Sequence, residues 1–320
     1  MIGLDLPLEL PPGSSVLVAG CGGGFDIVAG LPVALRLRAL GHRVHLANYC
    51  VGDVARAEGA TQPIAQLWRV GPDARDPEEI RGFPEGAVAR WWSKSFAEER
   101  PVWCLGRAGV RPLREAFAYL ARELALDAIV LTDGGVDGLF LGHEHDTGTP
   151  SMDAITILSA AAAPVAHKFF IASAFGTEGT AYSVRHADVL ERMAELTRQD
   201  AFLGVAALVR NSDVGRHFEQ AVEAVHACFS KTFHSIIVSS ILAGMHGRFG
   251  EVNLTPRTDW HPIWISPLQT LYWAFLLDPI AAAKPYRAEV MESETVEEVA
   301  EAIERARDRI GVGPRTVIPI

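Results

Sequence analysis

The chain is predicted to fold as an α/β protein: an open, doubly wound, mostly parallel sheet with helices on both faces and a further helical layer toward the C-terminus. Short apolar runs alternate with segments of helical spacing, and several runs end in glycine-rich turns, the pattern of repeated βαβ units. The 320 residues are 49 % apolar and 21 % charged, enough to bury one sizeable core. There is no internal repeat or low-complexity tract. One domain over 1–320 is expected.

Taken in order, residues 15–18 form a strand that ends in a glycine cluster, residues 25–40 have helical spacing, and Gly41 closes that helix. Residues 42–48 alternate apolar and polar as a second strand. The pattern returns with a helix at 112–124 and a buried strand at 128–132, then a helix at 152–163 and a strand at 169–174. A helix at 186–199 and a strand at 202–209 follow. Residues 70–110 fit poorly, being rich in Pro, Gly, charge and aromatics that include Trp91, Trp92, Phe96 and Trp103. We read this stretch as an insertion whose aromatics pack on the sheet edge, or as a functional lid or homo-oligomer contact. Residues 215–290 read as a helical layer packed on the sheet. At the C-terminus, Thr295 and Glu298 have capping-box spacing, with Val296, Val299, Ile303, Ala306 and Ile310 at steps of three and four.

Charge and composition narrow the partners. A formal charge of −10 repels nucleic-acid phosphates and anionic membranes, which leaves a small molecule as the expected partner. No apolar run reaches the length of a membrane span. Residues 1–13 carry Asp5 and Glu9 and no basic residue, the reverse of a signal peptide. Cys21, Cys50, Cys104 and Cys228 form no CxxC pair and read as reduced thiols in a cytoplasmic protein.

Three turns carry the chemistry. In the first, Gly22, Gly23 and Gly24 precede Asp26 where a strand meets a helix, a place where backbone N–H groups can approach an anionic or polar ligand. The spacing lacks the last glycine of a dinucleotide fingerprint. The second strand ends at Asn48 with no acid for a ribose hydroxyl, which disfavours an NAD-dependent oxidoreductase. The second turn runs Asp133-Gly134-Gly135-Val136-Asp137, followed by Gly142-His143-Glu144-His145-Asp146, Thr149-Pro150 and Asp153. Carboxylates gathered this way need a cation, a shared proton or hydrogen-bond donors. A hard cation, Mg²⁺ or Ca²⁺, held by Asp133, Asp137 and Glu144 is one reading, and a ligand site without metal is another. Thr149 is placed to cap the next helix beside the pocket. The third turn carries Glu178 between Gly176 and Gly179. In a parallel sheet Asp26, Asp137 and Glu178 share one edge, so all three are candidate acid–base residues around one cavity.

The strand end Asp133-Gly134-Gly135-Val136-Asp137 is locally similar to the Ca²⁺-binding strand end of nucleoside hydrolases. Across nearly the whole chain, Gly22-Gly23-Gly24-Phe25-Asp26 with Leu31-Pro32, Asp133-Gly134-Gly135 with Asp137, Gly148-Thr149-Pro150, Gly176-Thr177-Glu178 and Phe202-Leu203-Gly204 together resemble the family numbered 1152 among domains of unknown function. The resemblance implies a Rossmann-like α/β fold and brings no established reaction. The family pattern favours Gly-Asp-Glu where this chain has Gly142-His143-Glu144, and an acidic pair where it has Met152-Asp153. These departures point to a specialised substrate.

The expected function is an enzyme acting on a nucleoside, nucleotide or sugar phosphate by carboxylate-assisted hydrolysis or group transfer. Gly22–Gly24 would hold an anionic or polar end. Asn48, Asp133, Gly134, Gly135, Glu144 and Thr149 would contact the ligand. A protein that binds the same ligands without turnover is the alternative.

Overall fold

Why the centre of the chain forms a parallel sheet is visible in its first strand. Ser15–Gly20 (β1) is buried along its whole length, with Val16 and Val18 in one apolar cluster and Leu17 and Ala19 in another. A strand buried on both faces needs helices on both faces. The structure, a computed structural model, describes residues 3–75, 83–146, 148, 150–181 and 184–313.

After β1 the chain forms two short helices, Asp26–Ala29 (α1) and Leu31–Ala39 (α2), where the sequence reads as one. Pro32, which lacks an N–H, stands in the first turn of α2. Arg43–Tyr49 (β2) pairs parallel with β1, with Gly20 opposite Asn48. Thr61–Ile64 (β3) and Leu67–Val70 (β4) form an antiparallel pair, and β4 continues antiparallel to Val102–Leu105 (β5) beyond the helix Glu85–Phe96 (α3).

The stretch 70–110, read as an insertion whose aromatics pack on the sheet edge or as a lid, supplies β5 and α3, and its aromatics do pack against the outer strands. Trp91, Trp92 and Trp103 are buried, and Trp92 packs edge-on against Phe96 at 5.1 Å. Buried aromatics of this kind are core, not a lid or an oligomer contact. Within α3 only Lys94 and Ser95 are exposed, so the helix is buried nearly all round and shows little polar–apolar alternation.

Val110–Glu123 (α4) leads to Ala128–Asp133 (β6), parallel to β1 on the side away from β2. Pro150–Ala161 (α5) leads to His167–Ala172 (β7), parallel to β6. Next come Thr177–Ala181 (α6), His186–Arg198 (α7), Phe202–Ala207 (β8), Asp213–His226 (α8) and Ile236–Met245 (α9). The remaining elements are a small antiparallel ribbon of Gly250–Val252 (β9) and Ile263–Ile265 (β10), then Leu271–Leu276 (β11), Leu277–Ala283 (α10), Arg287–Val290 (α11) and Val296–Ile310 (α12).

The region 215–290, expected to be a helical layer, does carry α8, α9, α10 and α11, but it also supplies β11, which lies in the main sheet antiparallel to both β7 and β8. Among the described residues the sheet has nine strands in the order β3-β4-β5-β2-β1-β6-β7-β11-β8. Apolar residues of α4, α5, α7, α10 and α12 cover one face, and those of α2, α3, α8 and α9 cover the other. At the C-terminus the Glu298 N–H donates to the Thr295 hydroxyl at 3.2 Å, as the cap spacing predicts. Ile310, expected on the apolar stripe, is exposed. No described helix is long and apolar enough to cross a membrane.

The two halves of the sheet wind away from β1 in opposite directions, so β1 and β6 flank a topological switch point, where doubly wound folds leave a crevice beyond their strand ends. Trp92→Ala should lower stability by about 3–5 kcal/mol, read from urea denaturation, because a large buried ring leaves a cavity behind. An unchanged midpoint would restore the lid reading of 70–110.

Candidate functional site

β1 and β6 end side by side, with Gly20 opposite Thr132 and the Cys21 N–H donating to the Thr132 carbonyl at 2.9 Å. Beyond that point the strands separate, and the turns that follow them line a cavity of about 250 Å³. Asp26, Asp133, Asp137, Asp153 and Glu178 all line it, with Gly22, Gly23, Gly24 and Gly134. Asp133 is the last residue of β6, and its Oδ2 accepts from the Gly138 N–H at 3.0 Å. Asp137 opens a single 3-10 turn, and the backbone of Gly148 lies against its carboxylate. Glu178, in the first turn of α6, accepts from the Val136 N–H at 2.7 Å. A Cβ at Gly135 would sit 2.6 Å from the Glu178 carboxylate, so only glycine lets the two turns meet.

Asp153 is different. It stands in the first turn of α5, is 2 % exposed, and neither of its oxygens has a hydrogen-bond partner among the described residues. A Cβ at Gly22 would overlap Asp153 Oδ1, so the first glycine turn and the start of α5 close on each other here. A buried carboxylate without donors is costly unless it is protonated or meets a cation. One oxygen each from Asp26, Asp133 and Asp153 lies within 4.8 Å of the other two. A hard cation takes oxygen ligands at roughly 2.0–2.6 Å, so a single ion can touch all three.

Burial is the largest cause that raises the carboxyls of Asp133, Asp153 and Glu178 well above their ordinary range, and the Asp137 carboxylate is the next. Burial likewise pushes Asp26 up to about 7, against the Gly22 N–H, which donates to its Oδ2 at 2.6 Å. A buried cation behind the cavity wall is Lys284, which follows α10. It donates to the carbonyls of Gly138 (2.9 Å) and Phe140, and so clamps the turn that carries Asp137. Burial holds its ammonium down to about 8. Tyr272 of β11 donates its hydroxyl to the Ala29 carbonyl at 2.9 Å, fixing the end of the helix that begins with Asp26.

Several sequence expectations need correction. Glu144 is not in this cavity: it accepts from the N–H groups of Leu141 (2.6 Å) and Gly142 (2.8 Å) and lines a separate, smaller cavity with His143, His145 and Asp188. The metal-ligand set shifts with it. The oxygens close enough to share an ion belong to Asp26, Asp133 and Asp153, while Asp137 lines the cavity outside that group.

Asn48 does not line the cavity either. It is fully buried and donates to the Gly24 carbonyl at 2.9 Å and to Glu85 Oε1 at 2.6 Å, bracing the glycine turn from behind. Gly135 is outside the lining and serves packing. Thr149 lies outside the described residues.

Lys284, Arg257 and the start of α9 were not legible as site parts. Asp153 was signalled by its place at the end of the acidic run that follows Asp137 and as the acid of the Met152-Asp153 pair, but the sequence did not assign it a role.

The comparisons with known proteins follow the same lines. The family model described as "Protein of unknown function (DUF1152)" matches residues 86–309, and the chain belongs to that family. No curated protein and no solved structure matches the chain.

The crowding of acids sets a pH dependence. Unfolded, an aspartate such as Asp26 ionises near 3.8, whereas folded it holds its proton to about 7. The folded state thus binds more protons between those values, and stability falls as pH rises through them. In cation-free protein, the melting temperature should therefore fall as pH climbs from about 4 to about 8. Asp153→Asn should flatten that fall and raise stability at pH 8 by on the order of 1 kcal/mol. A steeper fall in the variant would mean that Asp153 is compensated in the folded protein.

Proposed function

We propose that this member of the DUF1152 family is an enzyme that acts on a small, hydroxyl-rich molecule by carboxylate-assisted hydrolysis or group transfer. Nucleosides, nucleotides and sugar phosphates are the substrate class. The observation that supports this most is the gathering of five carboxyl side chains around one small cavity at the sheet's switch point, one of them buried without a hydrogen-bond partner among the described residues. Perturbed carboxyls in a cleft are a functional-site signature with a physical reason, because a proton held near neutral pH is available for transfer.

Asp26, Asp133 and Asp153 are the residues to hold Mg²⁺ or Ca²⁺. Such an ion supplies charge stabilisation at a substrate oxygen. With it in place, Asp26 is occupied as a ligand, and acid–base work falls to Asp137 and Glu178. Glu178, raised by burial, keeps a proton that can be given to a leaving oxygen or nitrogen. Asp137 lies where a carboxylate can draw a proton from an attacking water, or stabilise an oxocarbenium-like centre if the bond broken is glycosidic. The buried Lys284 holds Asp137's turn at a fixed place and takes no proton in this scheme.

The cavity is small for an NAD cofactor, since about 250 Å³ lies below the roughly 300–1,000 Å³ of ordinary ligand pockets. Binding without turnover is the second reading. It is favoured by Met152, which lines the cavity where the family pattern has an acid. All four cysteines are free, and we place the reaction in the cytoplasm on that ground.

The test is incubation with a panel of nucleosides, nucleotides and sugar phosphates, with Mg²⁺ or Ca²⁺ and product analysis. Asp137→Asn should cut turnover by about 10²–10⁴-fold while leaving the melting temperature nearly unchanged. Ligand binding with no product from any compound would favour the second reading, and unfolding of the variant would make the turn structural.

A further inference from the structure

The lining of the cavity is not uniformly acidic. Ser235, Ile236 and Ile237 bring the first turn of α9 to it, and Arg257, from the single 3-10 turn Pro256–Thr258, is the one basic side chain among its described lining residues. The α9 helix has ten residues, and its Ser235 hydroxyl accepts from the Val238 N–H at 3.2 Å. The N–H groups of Ile236 and Ile237 belong to the first turn, where no intrahelical carbonyl reaches them. The helix dipole adds partial positive charge at the same place. One turn further along, Ser240 of α9 and Thr177, the neighbour of Glu178, join their hydroxyls at 2.6 Å, which ties the helix to the acidic elements.

The glycine turn, by contrast, is already committed. Its Gly22 N–H donates to Asp26 Oδ2 at 2.6 Å, and the Gly23 N–H is also directed at that carboxylate. An anion placed there would face Asp26 directly. Of the anionic or polar end expected at Gly22–Gly24, this wall therefore suits the polar one better.

That the cavity is built for a ligand has an independent sign in Asp153, whose two buried oxygens lack partners among the described residues. It calls for positive charge at the acidic wall. A molecule that spans the cavity then meets a cation-bearing carboxylate wall on one side and N–H groups with a guanidinium on another.

We propose that the first turn of α9 and Arg257 form an anion subsite that takes the phosphate of a sugar phosphate or nucleoside monophosphate, whose hydroxyls point to the cation held by Asp26, Asp133 and Asp153. The inference rests on the proposed function and narrows its substrate class from nucleosides, nucleotides and sugar phosphates to phosphate monoesters. It also makes phosphate and cation mutually dependent. A phosphate dianion entering the cation-free cavity meets the field of the carboxylates, whereas the divalent ion offsets that field. Each should then raise the affinity of the other by the same factor.

The experiment is calorimetric titration of the full chain with inorganic phosphate, with and without saturating Mg²⁺ or Ca²⁺, and of the cation alone. Phosphate should bind more tightly when the cation is present. Arg257→Ala, at an exposed position that folding tolerates, should weaken phosphate by about tenfold or more, the loss expected for a hydrogen bond to a charged group. The affinity for the cation alone should not change, and Arg257→Lys should fall between the two. Ribose 5-phosphate should bind more tightly than ribose.

Equal phosphate affinity in Arg257→Ala and the parent protein, or ribose binding as well as its phosphate, would overturn the subsite. Failure of the cation to bind the parent protein strikes the proposed function, whereas cation binding without phosphate binding strikes only this inference.

Discussion

Crowding of like charge is the constraint on which the rest of this molecule turns. Five acidic side chains share a cavity of about 250 Å³, and four of them are raised by burial and by one another. Packing alone does not reward such an arrangement, because each ionised carboxyl removed from water costs several kcal/mol. Backbone donors offset part of that cost: Gly22 for Asp26, Gly138 for Asp133 and Val136 for Glu178. Asp153 has no such donor among the described residues, and a proton or a ligand would supply the balance.

The fold supplies rigidity where the charges need it. Parallel strands buried on both faces deliver Gly20 and Asp133 to one edge, and the reversal of strand order between β1 and β6 opens the crevice. Elements remote in sequence then brace the turns. Tyr272 holds the helix of Asp26, Lys284 holds the turn of Asp137, and Asn48 with Glu85 holds the glycine turn. Each of these side chains is buried and none reaches the cavity lining. Their work is to prevent the acids from relaxing apart.

The distinction between Glu144 and Asp153 shows where reading the chain alone reaches its end. Both lie downstream of Asp137, and both are acids near a glycine. Glu144 closes a local turn through two backbone donors within three residues, a satisfaction that makes it a structural acid. Asp153 points from the first turn of a buried helix toward Gly22, on a different βαβ unit. Which acid meets which depends on how α5 packs on the sheet, and no spacing encodes that. The stretch 70–110 was legible only as far as its aromatics packing on the sheet edge, because its tryptophans find core positions only once β4 and β5 are paired.

From the residues by themselves follow the alternation of strand and helix, the mostly parallel sheet, the glycine turns at strand ends and the placing of Asp26, Asp133 and Glu178 on those turns. These are local matters, set by apolar period, by capping residues and by the backbone freedom of glycine. Tertiary structure alone decided that Asp153 replaces Glu144 beside Asp26 and Asp133, that β11 enters the sheet between β7 and β8, and that Arg257 and the start of α9 face the acids. Those relations join segments up to more than a hundred residues apart, and their physical source is the packing of helices onto a twisted sheet, which the order of residues along the chain does not state.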